Sequence, residues 1–320
     1  MEFQAERSEA ILAACLVPVY VHSGFASAPA LHEETSLTVD VARPDPRPIS
    51  LPTVMQELTS LPPHTACIGL TAEARPLLLR LPSPDVVHVL VAGASGSGKT
   101  ELIRSLLVSL ALGNRQSQLQ VVLIDLKQRG LSMLAGLPHL VAPPAYEVNG
   151  ALQLLDAMVA EMERRDAQAC SDPHIVIVAD ELPALLRQAG PAAQAALTHI
   201  AERGHAAGLH LVVGTQQAAG RVIGSDLKAN IPVRLVGRVD TADEAHIATG
   251  IAESGAEHLL GRGDFLAVSG GQAIQFQSAY VPAADWAGLD AALRRREHWT
   301  RALGIDRDRA ISDHGALSTA

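Results

Sequence analysis

Residues 87–103 read VHVLVAGASGSGKTELI. An apolar run, Val86 to Ala92, leads into a glycine-rich turn and then into a segment whose leucines return every fourth position. The turn fits the spacing G-x-x-x-x-G-K-[ST] at Gly93, Gly98, Lys99 and Thr100. Glycines there let backbone N–H groups curl around phosphate oxygens without a Cβ in the way. The lysine reaches the β- and γ-phosphates, and the hydroxyl ligates Mg2+. The expected nucleotide contacts are Gly93, Ala94, Ser95, Gly96, Ser97, Gly98, Lys99, Thr100 and Glu101. The continuous apolar run suits a strand buried on both faces. Leu102, Ile103, Leu106, Leu107 and Leu110 mark the inner face of the following helix, and Gly113-Asn114 its end. That helix aims the partial positive charge of its N-terminus at the anion.

Composition bounds the rest. The chain has 320 residues, 48% of them hydrophobic, enough for one large core or two modest ones. A net charge of −9 excludes a global basic field, so any nucleic-acid contact must be local, on one loop or inside a ring. Cys15, Cys67 and Cys170 are too few and too scattered for a disulfide framework or a zinc site, and are expected to be reduced thiols. The apolar run Ala10 to Val21 is too short to span a bilayer and contains Pro18, so the expectation is a soluble, cytoplasmic protein. Only three of the 25 basic residues are lysines, Lys99, Lys127 and Lys228. A lysine kept under such a bias suggests a task that a guanidinium cannot perform.

The chain divides by texture. Residues 1–80 carry proline clusters and short strand-like runs such as SLTVDVA and RPLLLRL, and predict a small, irregular α/β extension. Over residues 81–285 apolar strands alternate with amphipathic helices, which predicts an α/β fold with a mainly parallel sheet flanked by helices. Its further strands are LQVVLIDL, HIVIVADE, LHLVVGTQ and PVRLVGRV, with DFLAV and AIQFQSAYV as a late β pair. Asn149 is placed to cap a helix with the face Leu152, Leu155, Val159 and Met162, and Pro191 to open another. Residues 286–320 predict a polar amphipathic helix and a tail.

In a parallel sheet the carboxyl ends of the strands gather on one edge. Asp180 and Glu181 end an apolar strand there, so Asp180 is expected in the Mg2+ shell and Glu181 as the group that orients or deprotonates the attacking water. Gln216 ends another strand and can position water or sense the γ-phosphate; Asp125 and Lys127 end a third.

These pieces in this order resemble the motor domain of the FtsK/SpoIIIE/HerA family of DNA translocases. The resemblance rests on VHVLVAGASGSGKTELIRSLL, VVLIDLK, EMERR, HIVIVADE, RGHAAGLHLVVGTQ, LKANIPVRLVGRV and GAEHLLGRGDFL, together covering Pro48 to Tyr280. It implies a RecA-like ATPase using ATP and Mg2+ at the interfaces of a homo-oligomeric ring, commonly a hexamer, with double-stranded DNA in its channel. A ring reconciles an acidic protein with DNA, since only pore-lining loops need be basic.

Three positions depart from the family pattern. The arginine that reaches a neighbour's ATP is replaced by His205, with Arg203 two residues earlier; Gln217 and His246 stand where basic residues are usual. Arg203, Arg221 and Arg238 are candidate substitutes, with Arg221 and Arg238 expected to face DNA. Neither a membrane segment nor a C-terminal winged-helix reader is recognisable, so a separate membrane or DNA-reader partner is expected. The competing readings are a DNA motor, a protein-secretion ATPase of the same family, and a nucleotide-dependent assembly module with weak hydrolysis.

Overall fold

A computed structural model describes residues 47–58, 61–128, 130–216 and 224–301. The strands are β1 (Ile49–Ser50), β2 (Thr65–Thr71), β3 (Pro76–Arg80), β4 (Val89–Ala92), β5 (Leu119–Ile124), β6 (His174–Ala179), β7 (Leu209–Thr215), β8 (Val233–Gly237), β9 (Asp264–Ser269) and β10 (Gln272–Tyr280). The helices are α1 (Leu51–Glu57), α2 (Lys99–Gly113), α3 (Val148–Gln168), α4 (Leu182–Arg203), α5 (Ser225–Ala229), α6 (Ala242–Thr249) and α7 (Trp286–Arg301).

One sheet runs in the order β3-β2-β10-β9-β8-β4-β7-β6-β5, with β1 paired to the end of β10. The five strands from β8 to β5 are parallel, as their largely apolar sequences predict. From β9 outward the sheet becomes antiparallel. Residues 65–80, expected from their prolines to belong to an irregular extension, supply two strands of this same sheet; β2 pairs with β10 through Gly69 and Ser278. SLTVDVA and the rest of residues 1–46 lie outside the described residues.

The central helix α2 buries Leu102, Ile103, Leu106 and Leu110 on one face of the sheet, where β2 and β10 also pack. Helices α3 and α4 cover the other face through Leu155, Met162, Leu185 and Leu197. Each such side chain contributes about 1.5–3 kcal/mol by leaving water. Two helix limits differ from expectation. Helix α3 begins at Val148 with extended Glu147 before it, so Asn149 lies inside the first turn and is not the cap. Helix α4 begins at Leu182 and breaks at Gly190 (φ 66°, ψ −150°), so Pro191 does open a helical segment, the second half of a longer element. Among the described residues no helix is long and apolar enough to cross a membrane. Cys67 is buried and unpaired, and burial pushes its thiol up to about 11.

Candidate nucleotide site

The phosphate loop leaves β4 between two parallel neighbours and is tied to both. Gly93 N donates to Thr215 O at the end of β7 (3.2 Å), and Ala94 N to Arg238 O just past β8 (2.8 Å). A second strap was not foreseen. Arg262 N donates to Gly96 O (3.1 Å) and Gly263 N to Ser97 O (2.8 Å), so the turn entering β9 occupies the outward carbonyls of the loop. Gly98 has φ 102°, and a Cβ there would stand 2.8 Å from Gly263 N. Both conformation and contact therefore require glycine. Gly98→Ala is expected to destabilise the nucleotide-free protein by about 1–3 kcal/mol. A lower urea midpoint at unchanged slope is the readout, and a midpoint equal to the parent's would mean that the strap is not packed this closely.

The expected strand ends meet. Lys99, 5% exposed, places Nζ 3.8 Å from Asp180 Oδ1 and 3.6 Å from Glu181 Oε1. Thr100 Oγ1 donates to Asp180 Oδ2 at 3.1 Å. Lys127 reaches in from the end of β5, its Nζ 3.3 Å from Glu181 Oε1. Burial pushes the Asp180 carboxyl up from its ordinary value, while Lys99 and the Thr100 hydroxyl pull it back. Glu181 Oε1 is buried without a well-aligned hydrogen bond, leaving an acceptor aimed into the site. Two hard oxygens, from a hydroxyl and a carboxylate, suit Mg2+, which is commonly held by one or two protein groups plus phosphates and water. Two glycines let the backbone approach Asp180 closely enough for this convergence. At Gly214 a Cβ would meet Asp180 O at 2.2 Å, and at Gly130 it would meet Asp180 Oδ2 at 2.6 Å.

Other expected participants are placed differently. Asp125 Oδ1 accepts from Lys127 N and Gln128 N, and Oδ2 from Leu131 N, so this carboxylate shapes the loop after β5. Glu101 pairs with Arg104 on the first turn of α2. Gln216 is exposed just past β7, on the same edge as the phosphate loop, and Arg238 is exposed beside that loop. Arg221 and Gln217 lie outside the described residues. Arg203 and His205 precede β7 and so occupy the opposite, amino-terminal edge; the structure does not bring them to their own chain's Lys99 and Glu181. Helix α4 ends at Arg203, whose Nη2 lies 2.7 Å from Asp166 Oδ2, and His205 Nε2 is 3.3 Å from Pro82 O. Lys228 donates to Ile247 O near the end of α6 (2.6 Å). In the EMERR stretch, Arg165 is 1% exposed and its Nη1 donates to Ser171 O, Pro173 O and Ala207 O, which makes it a buried clasp.

Residues 52–172 match the FtsK/SpoIIIE family. The chain is 30% identical over 262 residues to a DNA translocase FtsK of Sporosarcina ureae, covering 73% of this chain and 33% of the relative. It is 33% identical over 231 residues to a DNA translocase FtsK of Staphylococcus aureus, covering 63% and 29%. It thus spans about a third of the length of these relatives. Among solved structures, the cytoplasmic domain of the Thermomonospora curvata type VII secretion ATPase EccC superposes with a TM-score of 0.65 at 24% identity, over 78% of this chain and 34% of that one. The pCW3 conjugation coupling protein TcpA, solved with ATPγS, superposes with a TM-score of 0.62 at 22% identity, over 73% and 71%. The parallel order β8-β4-β7-β6-β5 around a phosphate loop is the RecA-like arrangement expected from the motifs, and these matches share the fold. The chain belongs to the FtsK/SpoIIIE family and has a P-loop fold.

Proposed function

We propose that the chain hydrolyses ATP to move duplex DNA through an oligomeric ring, each subunit supplying one phosphate loop. The observation that carries this reading is the meeting of Lys99, Thr100, Asp180 and Glu181 at one sheet edge, joined to the similarity with translocases. Lys99 holds the β- and γ-phosphates, and the loop amides bind the remaining oxygens. Thr100 and Asp180 hold Mg2+, which neutralises charge on the phosphates. Glu181 orients the attacking water and accepts its proton, while Lys127 holds the Glu181 carboxylate in place. Gln216 lies on the edge from which it can steer that water.

Arg203 and His205, on the far edge, face the nucleotide of the next subunit in such a ring. An arginine supplied in trans is worth about 10³ to 10⁵ in rate, and an imidazole at residue 205 lacks the planar, permanently charged fork that does this. Helix α4 ends at Arg203, but Gly204 keeps right-handed helical angles (φ −59°, ψ −29°), so Arg203 still stands about 200° around from residue 205. Arg203 is a substitute only if it leaves Asp166. His205→Arg is expected to raise steady-state turnover about tenfold or more. No gain in assembled rings would mean that another cation already fills the interface.

The deciding experiment is ATP turnover with and without long linear duplex DNA at several salt concentrations. DNA stimulation that weakens steeply with salt, and shows no sequence preference, supports the motor, with Arg221 and Arg238 as phosphate contacts. Turnover indifferent to DNA favours the second reading, a protein-moving ATPase, for which the likeness to EccC is the specific support.

A further inference from the structure

The amino-terminal edge of the sheet, opposite the phosphate loop, gathers His64, His88, His174 and His210, which no step of ATP hydrolysis uses. Their hydrogen bonds fix their protons. A carbonyl only accepts, so His210 Nδ1, 2.8 Å from Val87 O, carries a hydrogen. His210 is fully buried and desolvation holds its ring neutral, so its Nε2 is a bare acceptor. His174 Nδ1, 2.8 Å away, must donate to it. The lone pair of His174 is thereby left on Nε2, which lies 3.9 Å from Asp172 Oδ1. The same logic applies to His64. Its Nε2 lies 3.1 Å from Gln118 O and donates to it. The His64 and His174 rings lie 4.2 Å apart, and one ligating atom from each of His64, Asp172 and His174 falls within 4.8 Å of the other two.

We propose that His64, Asp172 and His174 form a site for a borderline divalent cation of the Zn2+ class, with two imidazoles and a carboxylate from the chain and a fourth position open to solvent. Neutral imidazole suits Zn2+ and its neighbours, whereas Mg2+ and Ca2+ demand oxygen. The His174–His210–Val87 chain is the kind of outer-shell support that sets the tautomer of a ligating histidine and raises its basicity. His64 holds a left-handed backbone (φ 59°), pinned by its N–H on Asn114 Oδ1 (2.8 Å) and its carbonyl on Leu81 N (3.0 Å). Ligand atoms around one tetrahedral ion stand about 3.3 Å apart, so the set must draw inward slightly. Asp172 can supply that movement, since its side chain is 77% exposed. The buried clasp of Arg165 on Ser171 O and Pro173 O holds the backbone on either side of it.

The test uses the tag-free full chain, stripped with a chelator and free of nucleotide, titrated with Co2+ as the spectroscopic probe and then with Zn2+. One equivalent of Co2+ is expected to bind with the strong visible bands of a tetrahedral site. Zn2+ should displace it, and excess Mg2+ should not. Asp172→Asn and His174→Ala are each expected to weaken binding at least about tenfold. Asp172→Asn changes an exposed side chain and leaves the core intact, so it decides the matter even if His174→Ala does not fold. Only the weak absorption of octahedral Co2+, displacement by Mg2+, or an unchanged affinity in Asp172→Asn would overturn the proposal.

Discussion

Replacing Glu181 by glutamine lowers kcat for ATP by about 10² to 10⁴ in the expected outcome, while nucleotide affinity stays level or tightens. Glutamine has the same reach but cannot take a proton from water. The buried Oε1 of Glu181 is the carboxylate oxygen nearest both lysines, 3.6 Å from Lys99 Nζ and 3.3 Å from Lys127 Nζ. Neutralising it leaves two ammonium groups without a shared counterion beside the place where the anionic phosphates bind. Binding is therefore not weakened, and the loss falls on the transition state alone. Titration with a fluorescent nucleotide separates affinity from single-turnover hydrolysis. Near-normal turnover in the variant would remove Glu181 from the base role and turn attention to Gln216.

The second large effect is acid lability of the fold itself. His88 is 1% exposed, accepts from Leu211 N through Nδ1 (2.9 Å) and donates to Ala201 O through Nε2 (3.1 Å). Both nitrogens are committed, so a second proton would point at an amide hydrogen. Burial lowers His88 from its ordinary 6.5 to about 4, and His174 likewise to about 4, while His210 goes well below its ordinary value. The neighbouring charges are mixed. His64, His205 and Arg165 press His174 toward neutrality and Asp172 opposes them. Because the unfolded chain binds more protons than the folded one between these values, stability is fully present above about pH 6.5 and is lost as pH falls toward 4. For His88 alone the full loss is on the order of 3 kcal/mol, at about 1.36 kcal/mol for each pH unit of difference. That is a large share of a typical folding free energy of about 5–15 kcal/mol. Asp180 acts with the opposite sign, since its raised value makes ionisation costly near neutrality and acid relieves it. Urea unfolding in chelator at pH 7.5, 6 and 5 should show stability falling by about 2 kcal/mol or more. His88→Gln should flatten that dependence. A stability flat from pH 7.5 to 5 would show that these rings do not titrate as the packing requires.

Much of the geometry of the candidate site was legible because it is written in local patterns. The glycine spacing at Gly93 and Gly98 and the two acids closing an apolar strand each announce a backbone conformation or a strand end, and topology alone brings them together. The scarcity of lysine was half informative. Lys127 does enter the site, whereas Lys228 meets a backbone carbonyl at the end of α6. What was not legible depends on distant partners. Strand β2 hides behind prolines and declares itself only by pairing with β10. The Gly261–Gly263 strap reads as an ordinary turn until its amides are seen on the phosphate loop. The first half of α4 was missed because Gly190 and Pro191 mark only the start of its second half. The histidine cluster is scattered over four segments, and only the parallel sheet lines up His174, His210 and His88 at one edge.

The pairing of β2 with β10 has a consequence for how the protein is made. Strands β2 and β3 leave the ribosome before the phosphate loop does, yet the partner on the free edge of β2 is the last strand of the described chain. Throughout most of synthesis the early hairpin thus holds an open row of amides and carbonyls, a template for pairing with any other extended chain. Closure must wait for a contact between distant parts of the sequence, the slowest kind to form. It is also a close one, because at Gly69 a Cβ would meet Gln277 O at 2.1 Å. A chain stopped before Gln272 would carry Lys99, Thr100, Asp180 and Glu181 and still lack the strand that protects its own beginning, leaving a nascent polypeptide more prone to aggregate than to fold.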